Sequence, residues 1–569
     1  MKRSDPAEEK KHLIECAAGK RPADLIIAGV TVLHLTDGTL EECDIAIIDG
    51  KIAGLGKYTC GKSVIDGRGL FAVPGFIDSH VHLESSHLLP NEYERLVVPH
   101  GVTTSICDPH ELANVVGEKA FAYFFSAAEK LTMSLIVHLS SCVPATPFET
   151  AGAQIDAAAI SKWKALHPES RLAELMNVPG LLACEEDLLV KAALFDCIDG
   201  HCPMLSNEEL NGVAAAGVVN CHESTLLEEA AGKLRRGLQV FIREGSAAKN
   251  LDNLIPLITI ENSPFLSFCT DDRSPLEIEN EGHIDSMIRR AIEKGADPLA
   301  VYRVASWSAA NHAGLRDRGL IAPGKRADIV LLNDLKTCQI RDVIVKGIPS
   351  AMLPAAETSA PAEFTNSVKC KMALPEDFIF HSEKKETLII DTVPGSLITE
   401  KLVRDLPLAD GKKMCDPSSD ILKIAVMERH GRNGNIGLGF VHGFGLKNGA
   451  LATTVAHDSH NICVVGSSEK DMAEAVNALI LQQGGFTVVQ NGKVTAGLHF
   501  PVAGLFTDRS CKELNKELKK IMEAVSQTGC TLPEPFQQLS FLALPVIPHL
   551  KLTDRGLFDA DIFQHIFIN

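Results

Sequence analysis

The chain has 569 residues, 45% hydrophobic and 22% charged, which is enough apolar material for several packed domains and excludes global disorder. Its formal net charge of −18 excludes non-specific binding to phosphate backbones or anionic membranes as a source of function. Sixteen cysteines occur without a single C-x-x-C pair, so zinc ribbons and thioredoxin-like chemistry are excluded, and the thiols read as free in a reducing cytoplasm.

Residues 1–20 carry charge on both sides of a very short apolar patch and lack a signal-peptide core. No apolar run reaches the ~18 residues of a membrane span. Residues 21–75 read as short strands: Leu25-Ile26-Ile27, Gly29-Val30-Thr31-Val32, then Asp44-Ile45-Ala46-Ile47-Ile48 running into Asp49-Gly50, a hairpin signal, and Lys51-Ile52-Ala53. From 76 to 314, apolar strands alternate with helical stretches. Eight strands are predicted at 76–82, 103–107, 134–139, 172–176, 195–198, 217–221, 238–242 and 265–270, with helices at 117–131 and 283–295 among the connections. That count and length predict a TIM-like (β/α)₈ barrel. Strand-and-turn texture returns over 319–333, so 21–75 and 315–350 are expected to form one composite β-sandwich beside the barrel. Residues 349–363 are rich in Pro, Ala, Ser and Thr and read as a linker. A C-terminal α+β domain is expected over 364–569. Its glycine run, 431–449, lacks the G-x-x-x-x-G-K-[ST] spacing of a phosphate loop.

The chemistry concentrates at strand ends. In Pro74-Gly75-Phe76-Ile77-Asp78-Ser79-His80-Val81-His82, two histidines at i and i+2 of a strand face one side, about 6–7 Å apart, a spacing at which neutral imidazoles share a divalent metal. Glu174 ends Arg171-Leu172-Ala173-Glu174, and His201, His222 and Asp271 follow later predicted strands, at the carboxyl ends where barrel active sites are built. A lone histidine is usually structural; four such residues in order after an H-x-H point to a nitrogen-and-oxygen metal site. His82-Leu83-Glu84 also fits the H-x-E of zinc nucleobase deaminases, but their P-C-x-x-C partner is missing, which rejects that fold. Asp108 reads as a cap for a helix after Pro109, with Glu111 favourable in its first turn. His457 and His460, at i and i+3 with Asp458 between, read as a hydrogen-bonded turn near a domain interface, or as metal ligands if helical.

The stretch 74–86, Asp108-Pro109-His110-Glu111-Leu112-Ala113-Asn114, and Gly324-Lys325-Arg326-Ala327-Asp328 resemble the amidohydrolase superfamily. Within it the chain is similar to the bacterial adenine deaminases, through Asp199-Gly200-His201, Arg243-Glu244-Gly245-Ser246, Thr270-Asp271-Asp272-Arg273 and Val455-Ala456-His457-Asp458-Ser459-His460-Asn461. The resemblance runs through all three segments, with one departure at Asn220, where an acidic residue is expected before the His222-Glu223 pair.

The resemblance implies hydrolytic deamination of adenine to hypoxanthine and ammonia, with another aminated heterocycle or a cyclic amide as the alternative. It implies a binuclear centre of Mn²⁺ or Fe²⁺, with Zn²⁺ possible: His80 and His82 with Asp271 at one metal, His201 and His222 at the other, and Glu174 bridging. Asp271 is the expected proton shuttle. Glu84 is placed ahead of Glu111 as the acid for ring N1, and Asp272 as an aid to Asp271 or a cap. His110, Glu111, Arg243 and Ser246 are expected at the purine, with the ordering of carboxylates as the alternative for Arg243. Expected partners are a small purine and further copies of the chain in a homodimer or larger assembly, with no nucleic acid and no membrane. The opposite class, a barrel kept as a binding or assembly module, would have lost metal ligands, and all six are present.

Overall fold

The computed structural model describes residues 5–566. Asp5 accepts the Ala7 amide to cap a helix, Pro6–Ala17, whose Cys16 packs with Ile26, Ala46 and Ile48 on the first sheet. The expected hairpin forms: Leu40–Ile48 turns into Lys51–Gly56 with Ile48 opposite Lys51. Both turn residues, Asp49 and Gly50, have positive φ (49° and 71°), the backbone that matches the twist of paired strands.

The two flanks of the barrel join through one eight-stranded sheet. Phe71–Pro74 is the seam: it lies parallel to Ala23–Leu33 and antiparallel to Ile329–Asp334, with Ala72 opposite Leu331. Leu25, Ile27, Val30, Val32 and Ile45 from the early strands meet Ile329, Leu331 and Ile344 from the late ones in a single core.

The barrel strands are Phe76–Val81, Val102–Cys107, Ser134–Val137 with Leu139–Ser140, Leu172–Leu175, Ile198–Gly200, Val218–Cys221, Gln239–Arg243 and Leu266–Cys269, all in parallel pairs. The eighth returns to the first through Asp271, whose amide donates to the His80 carbonyl at 2.9 Å and whose carbonyl accepts the His82 amide at 3.1 Å. Two expectations shift. The fifth strand begins at Ile198, because Leu194 and Phe195 still bond back to Lys191 and Ala192 as the preceding helix ends. The helix expected over 117–131 is shorter, Lys119–Ala128, and Gly117 (φ 68°) separates it from the helix after Pro109, His110–Val116.

Among the described residues no helix is long and apolar enough to cross a membrane, and all sixteen cysteines are free. The segment expected as a linker holds only 3₁₀ turns, and is tied to the barrel where Tyr123 donates to the Thr358 carbonyl at 2.9 Å. Beyond it lies a second eight-stranded sheet, packed by helices Glu469–Gln482 and Cys511–Gln527. The glycine-rich loop opens with Glu428, which accepts the amides of His430, Arg432, Asn433 and Gly434 at 2.5–3.2 Å. The anion-binding nest of that loop is filled by the chain's own carboxylate.

Candidate active site

The six predicted ligand residues meet at the carboxyl ends of the barrel strands, each no more than 4% exposed. His80 Nε2 and His82 Nε2 are 3.1 Å apart. Glu174 Oε2 lies 3.4 and 3.3 Å from them, and Asp271 Oδ1 the same distances. The other Glu174 oxygen faces the second pair, 2.6 Å from His201 Nδ1 and 3.2 Å from His222 Nε2. Three overlapping sets, His80/His82/Glu174, His80/His222/Asp271 and Glu174/His201/His222, each hold their ligand atoms within 4.8 Å of one another. Glu174 Oε2, His201 Nε2 and His222 Nε2 are buried without a hydrogen-bond partner. Buried polar atoms are nearly always satisfied. Converging, unpartnered nitrogen and carboxylate donors therefore fit divalent metal ions.

The backbone explains the convergence. Asp271 has φ of 57°, the left-handed region that a non-glycine residue occupies only under constraint. This turn lets its amide and carbonyl bond to the first strand while its carboxylate swings inward. Burial alone would raise the Asp271 and Glu174 carboxyls, but the facing His222 and the other imidazoles, with Arg243 for Asp271, hold both well below the usual range.

Arg243 is fully committed. Its guanidinium forks onto Glu223, donates to Asp271 Oδ2 at 2.8 Å and to Asn250 Oδ1 at 3.1 Å. Of the two roles open to it, it takes the ordering of carboxylates. Ser246, expected at the purine, donates to Glu277 and accepts the Ser274 amide at 2.9 Å, and does not line the metal cavity. The capping role expected of Asp108 is not seen. Its carboxylate lies 3.0 Å from His110 Nδ1, accepts the Glu174 amide at 3.2 Å and takes the Ser140 hydroxyl, because this end of the strand is buried among polar groups that compete for it. Asn220 donates to Asp199 Oδ1 at 2.5 Å and sits 3.0 Å from His312 Nε2, in a polar layer that also includes His138.

The metal cavity is lined by His82, His110, Glu174, Met176, His201, Glu223, Asp271 and Asp272 from the barrel and by Leu397, His457, Asp458, Phe541 and Leu544 from the C-terminal domain. Glu84 and Glu111 are not among its lining residues. Glu84 accepts the Leu112 amide at 3.1 Å and keeps its other oxygen free; burial pushes it up to about 7. Burial pushes Glu111 up to about 8, and it lies 3.5 Å from the Ser85 hydroxyl, which donates to Asp272 Oδ1. A buried acid is thus linked through one hydroxyl to a carboxylate on the cavity wall.

The C-terminal motif is a turn, not a helix: the Ala456 amide reaches His460 Nδ1 at 3.2 Å and the His460 amide donates to the Ala456 carbonyl at 2.7 Å. It carries His457 Nδ1 to 3.4 Å from Glu111 Oε1 and Asp458 Oδ1 to 3.5 Å from His110 Nε2. Burial disfavours charge on His457, but Glu111 and Asp272 lift it to about 9. The turn is held to the barrel by Ser459, which donates to Glu149 at 2.5 Å, and by Asn461, which donates to the Thr150 carbonyl at 2.8 Å. Glu223, Asp108 and Ser85 were not singled out as site residues from sequence. For Glu223 a signal was present in its position directly after a strand-end histidine.

Residues 71–348 match the model of the Amidohydrolase family, and residues 396–564 that of the Adenine deaminase C-terminal domain. The chain is 51% identical to an adenine deaminase from Methylobacterium sp. (strain 4-46), over 98% of this chain and 99% of that one. It is 50% identical to an adenine deaminase from Gluconobacter oxydans (strain 621H), over 95% and 96%, and 48% identical to one from Brucella suis biovar 1 (strain 1330), over 97% and 96%.

Proposed function

The chain belongs to the adenine deaminase family, and from that premise we propose that it hydrolyses adenine to hypoxanthine and ammonia at a binuclear centre between barrel and C-terminal domain. The observation that carries the site is the pair of Glu174 oxygens, each directed at its own histidine pair. His80, His82 and Asp271 would hold one divalent ion, His201 and His222 the other, with Glu174 shared. The donor set suits manganese, ferrous iron or zinc, and the family resemblance favours the first two. When bound, such ions lower the pKa of water and supply a nucleophile near neutral pH.

The chain's own groups move the protons. Asp271 takes one from the attacking water and gives one to the exocyclic amine, so that the C6–N6 bond breaks with ammonia as leaving group. Ring N1 must be protonated as C6 becomes tetrahedral. Asp272 lines the cavity and is backed through Ser85 by Glu111, which supports it as the donor; Glu84 is the second buried acid of that layer. His110 would flank the purine. Arg243 acts through Asp271 and Glu223, as a positioning residue.

The test is ammonia and hypoxanthine release from adenine by metal-stripped protein, with and without Mn²⁺ or Fe²⁺. Metal-dependent turnover is expected. Fully loaded protein that leaves adenine untouched would overturn the substrate and direct the search to cyclic amides and other aminated heterocycles.

A further inference from the structure

Deamination fixes where C6 of the purine must sit, but not what reads the opposite, imidazole half. That half of free adenine carries one N–H, and recognition of it needs an acceptor at the far side of the cavity from the metal ligands. Asp458 is an acceptor on the wall of that cavity, one imidazole removed from Glu174. It is 1% exposed and lines the same cavity as Glu174, His201 and Asp271. Its Oδ1 lies 3.5 Å from His110 Nε2 and 3.6 Å from His457 Nδ1, while its Oδ2 has no partner. On the other edge of the His110 ring, Nδ1 lies 3.7 Å from Glu174 Oε2. One imidazole therefore separates the shared metal-ligand carboxylate from the C-terminal carboxylate.

We propose that Asp458 accepts the imidazole N–H of the bound purine, and so selects the free base over purines substituted at N9. This rests on the adenine reading above. The surroundings support it. Met176, Leu397, Phe541 and Leu544 line the same cavity with apolar surface suited to ring faces. The His457 ring, next to Asp458 along the chain, is stacked on Phe541 at 4.2 Å, and this pair is the roof that the C-terminal domain contributes to the lining. A substituent at N9 would remove the donor, leave a buried carboxylate oxygen unpaired, and press bulk on that roof. Glu111 also has a free oxygen, but it faces His460 at 3.6 Å and does not line the cavity.

The experiment uses metal-loaded full-length protein: wild type, Asp458→Asn, Asp458→Ala and Asp458→Glu. It measures kcat and KM for adenine and 9-methyladenine, and hypoxanthine affinity by equilibrium dialysis. Wild type should prefer adenine by roughly 100-fold or more in kcat/KM. KM for adenine and Kd for hypoxanthine should rise in the order Asp, Asn, Ala, by about tenfold and then about 100-fold, and the preference for adenine should shrink in step. Asp458→Glu, which keeps the charge, should retain more of the preference than Asp458→Ala. Equal use of 9-methyladenine by wild type would overturn the proposal. So would variants that lose turnover but keep an unchanged adenine preference and hypoxanthine affinity, since Asp458 would then act only on His110. Melting temperature and metal content separate misfolding from loss of recognition; if the Asn and Ala variants do not fold, the Glu variant must still raise Kd for hypoxanthine and KM for adenine, and wild-type values in it would overturn the assignment. Failure of wild type to deaminate adenine would overturn the reading beneath it, and hypoxanthine binding would then judge Asp458 separately.

Discussion

Asp271 donates its backbone amide to the carbonyl of His80 at 2.9 Å and brings its carboxylate to 3.4 Å from the same residue's imidazole. The last barrel strand is thereby locked in register with the first at the place where both carry the proposed metal ligands. The cost is a left-handed backbone at a residue with a side chain, of order 1–2 kcal/mol. Constraint of this kind pre-orients the site before substrate arrives.

Asp271→Asn keeps the shape of the side chain and removes its basicity. We expect kcat to fall by about 10²–10⁴, the range for loss of a positioned proton-transfer group, with KM changed far less. Steady-state kinetics on protein with measured metal content checks this. Near-normal kcat would remove Asp271 from the proton path.

Arg243 is the cation that Glu223 and Asp271 share in a buried setting. Arg243→Met leaves both carboxylates without it, and removal of one partner from a buried pair costs about 3–5 kcal/mol. Arg243→Lys keeps the charge but not the planar fork, so it should recover stability only in part. Urea unfolding of the two variants beside wild type reads the difference; Arg243→Lys as stable as wild type would show that charge alone matters there.

Much of this was legible in the sequence because local rules govern it. Asp49-Gly50 announces its turn by the backbone those residues tolerate, and the strand-end histidines announce by position the cluster that the barrel gathers. What the sequence hid is choice among partners. Asp108 stands where a cap belongs, yet the His110 side chain and two polar groups from other strands, Ser140 and the Glu174 amide, take its carboxylate in place of the helix amides. For Arg243 the sequence leaves carboxylate ordering and purine contact both open, because nothing along the chain marks Glu223 as its partner. Asp458 meets His110 only through the docking of a separate domain, and no periodicity encodes that contact.

Metal removal should weaken the fold as well as abolish turnover. An ion present at 100 times its Kd adds about 2.7 kcal/mol to a state that alone binds it. Chelation is expected to lower the melting temperature, and added Mn²⁺ or Fe²⁺ to restore both temperature and activity. An unchanged melting temperature together with unchanged metal-free turnover would contradict the centre.

Lys551 is fully buried, and its ammonium has one partner, the Leu397 carbonyl at 2.7 Å. Burial pushes it down from 10.5 to about 7. Between about pH 7 and 10 the unfolded chain then holds a proton that the folded chain has released, so stability rises with pH there, by at most about 1.4 kcal/mol per unit. Below about 7 both states are protonated and this slope vanishes. Comparison of urea unfolding at pH 7 and 9.5 in wild type and Lys551→Met checks this: the variant should lack that part of the slope.

The seam strand Phe71–Pro74 carries a further consequence, for biosynthesis. Its antiparallel neighbour, Ile329–Asp334, is translated only after the entire barrel. Until then the growing chain exposes an apolar strand edge, the kind of surface that recruits wrong partners. Contacts so distant along the polypeptide form slowly. A nascent chain halted before residue 329 should therefore depend on chaperones more than one released after the sheet is complete, although both contain every proposed ligand of the metal site.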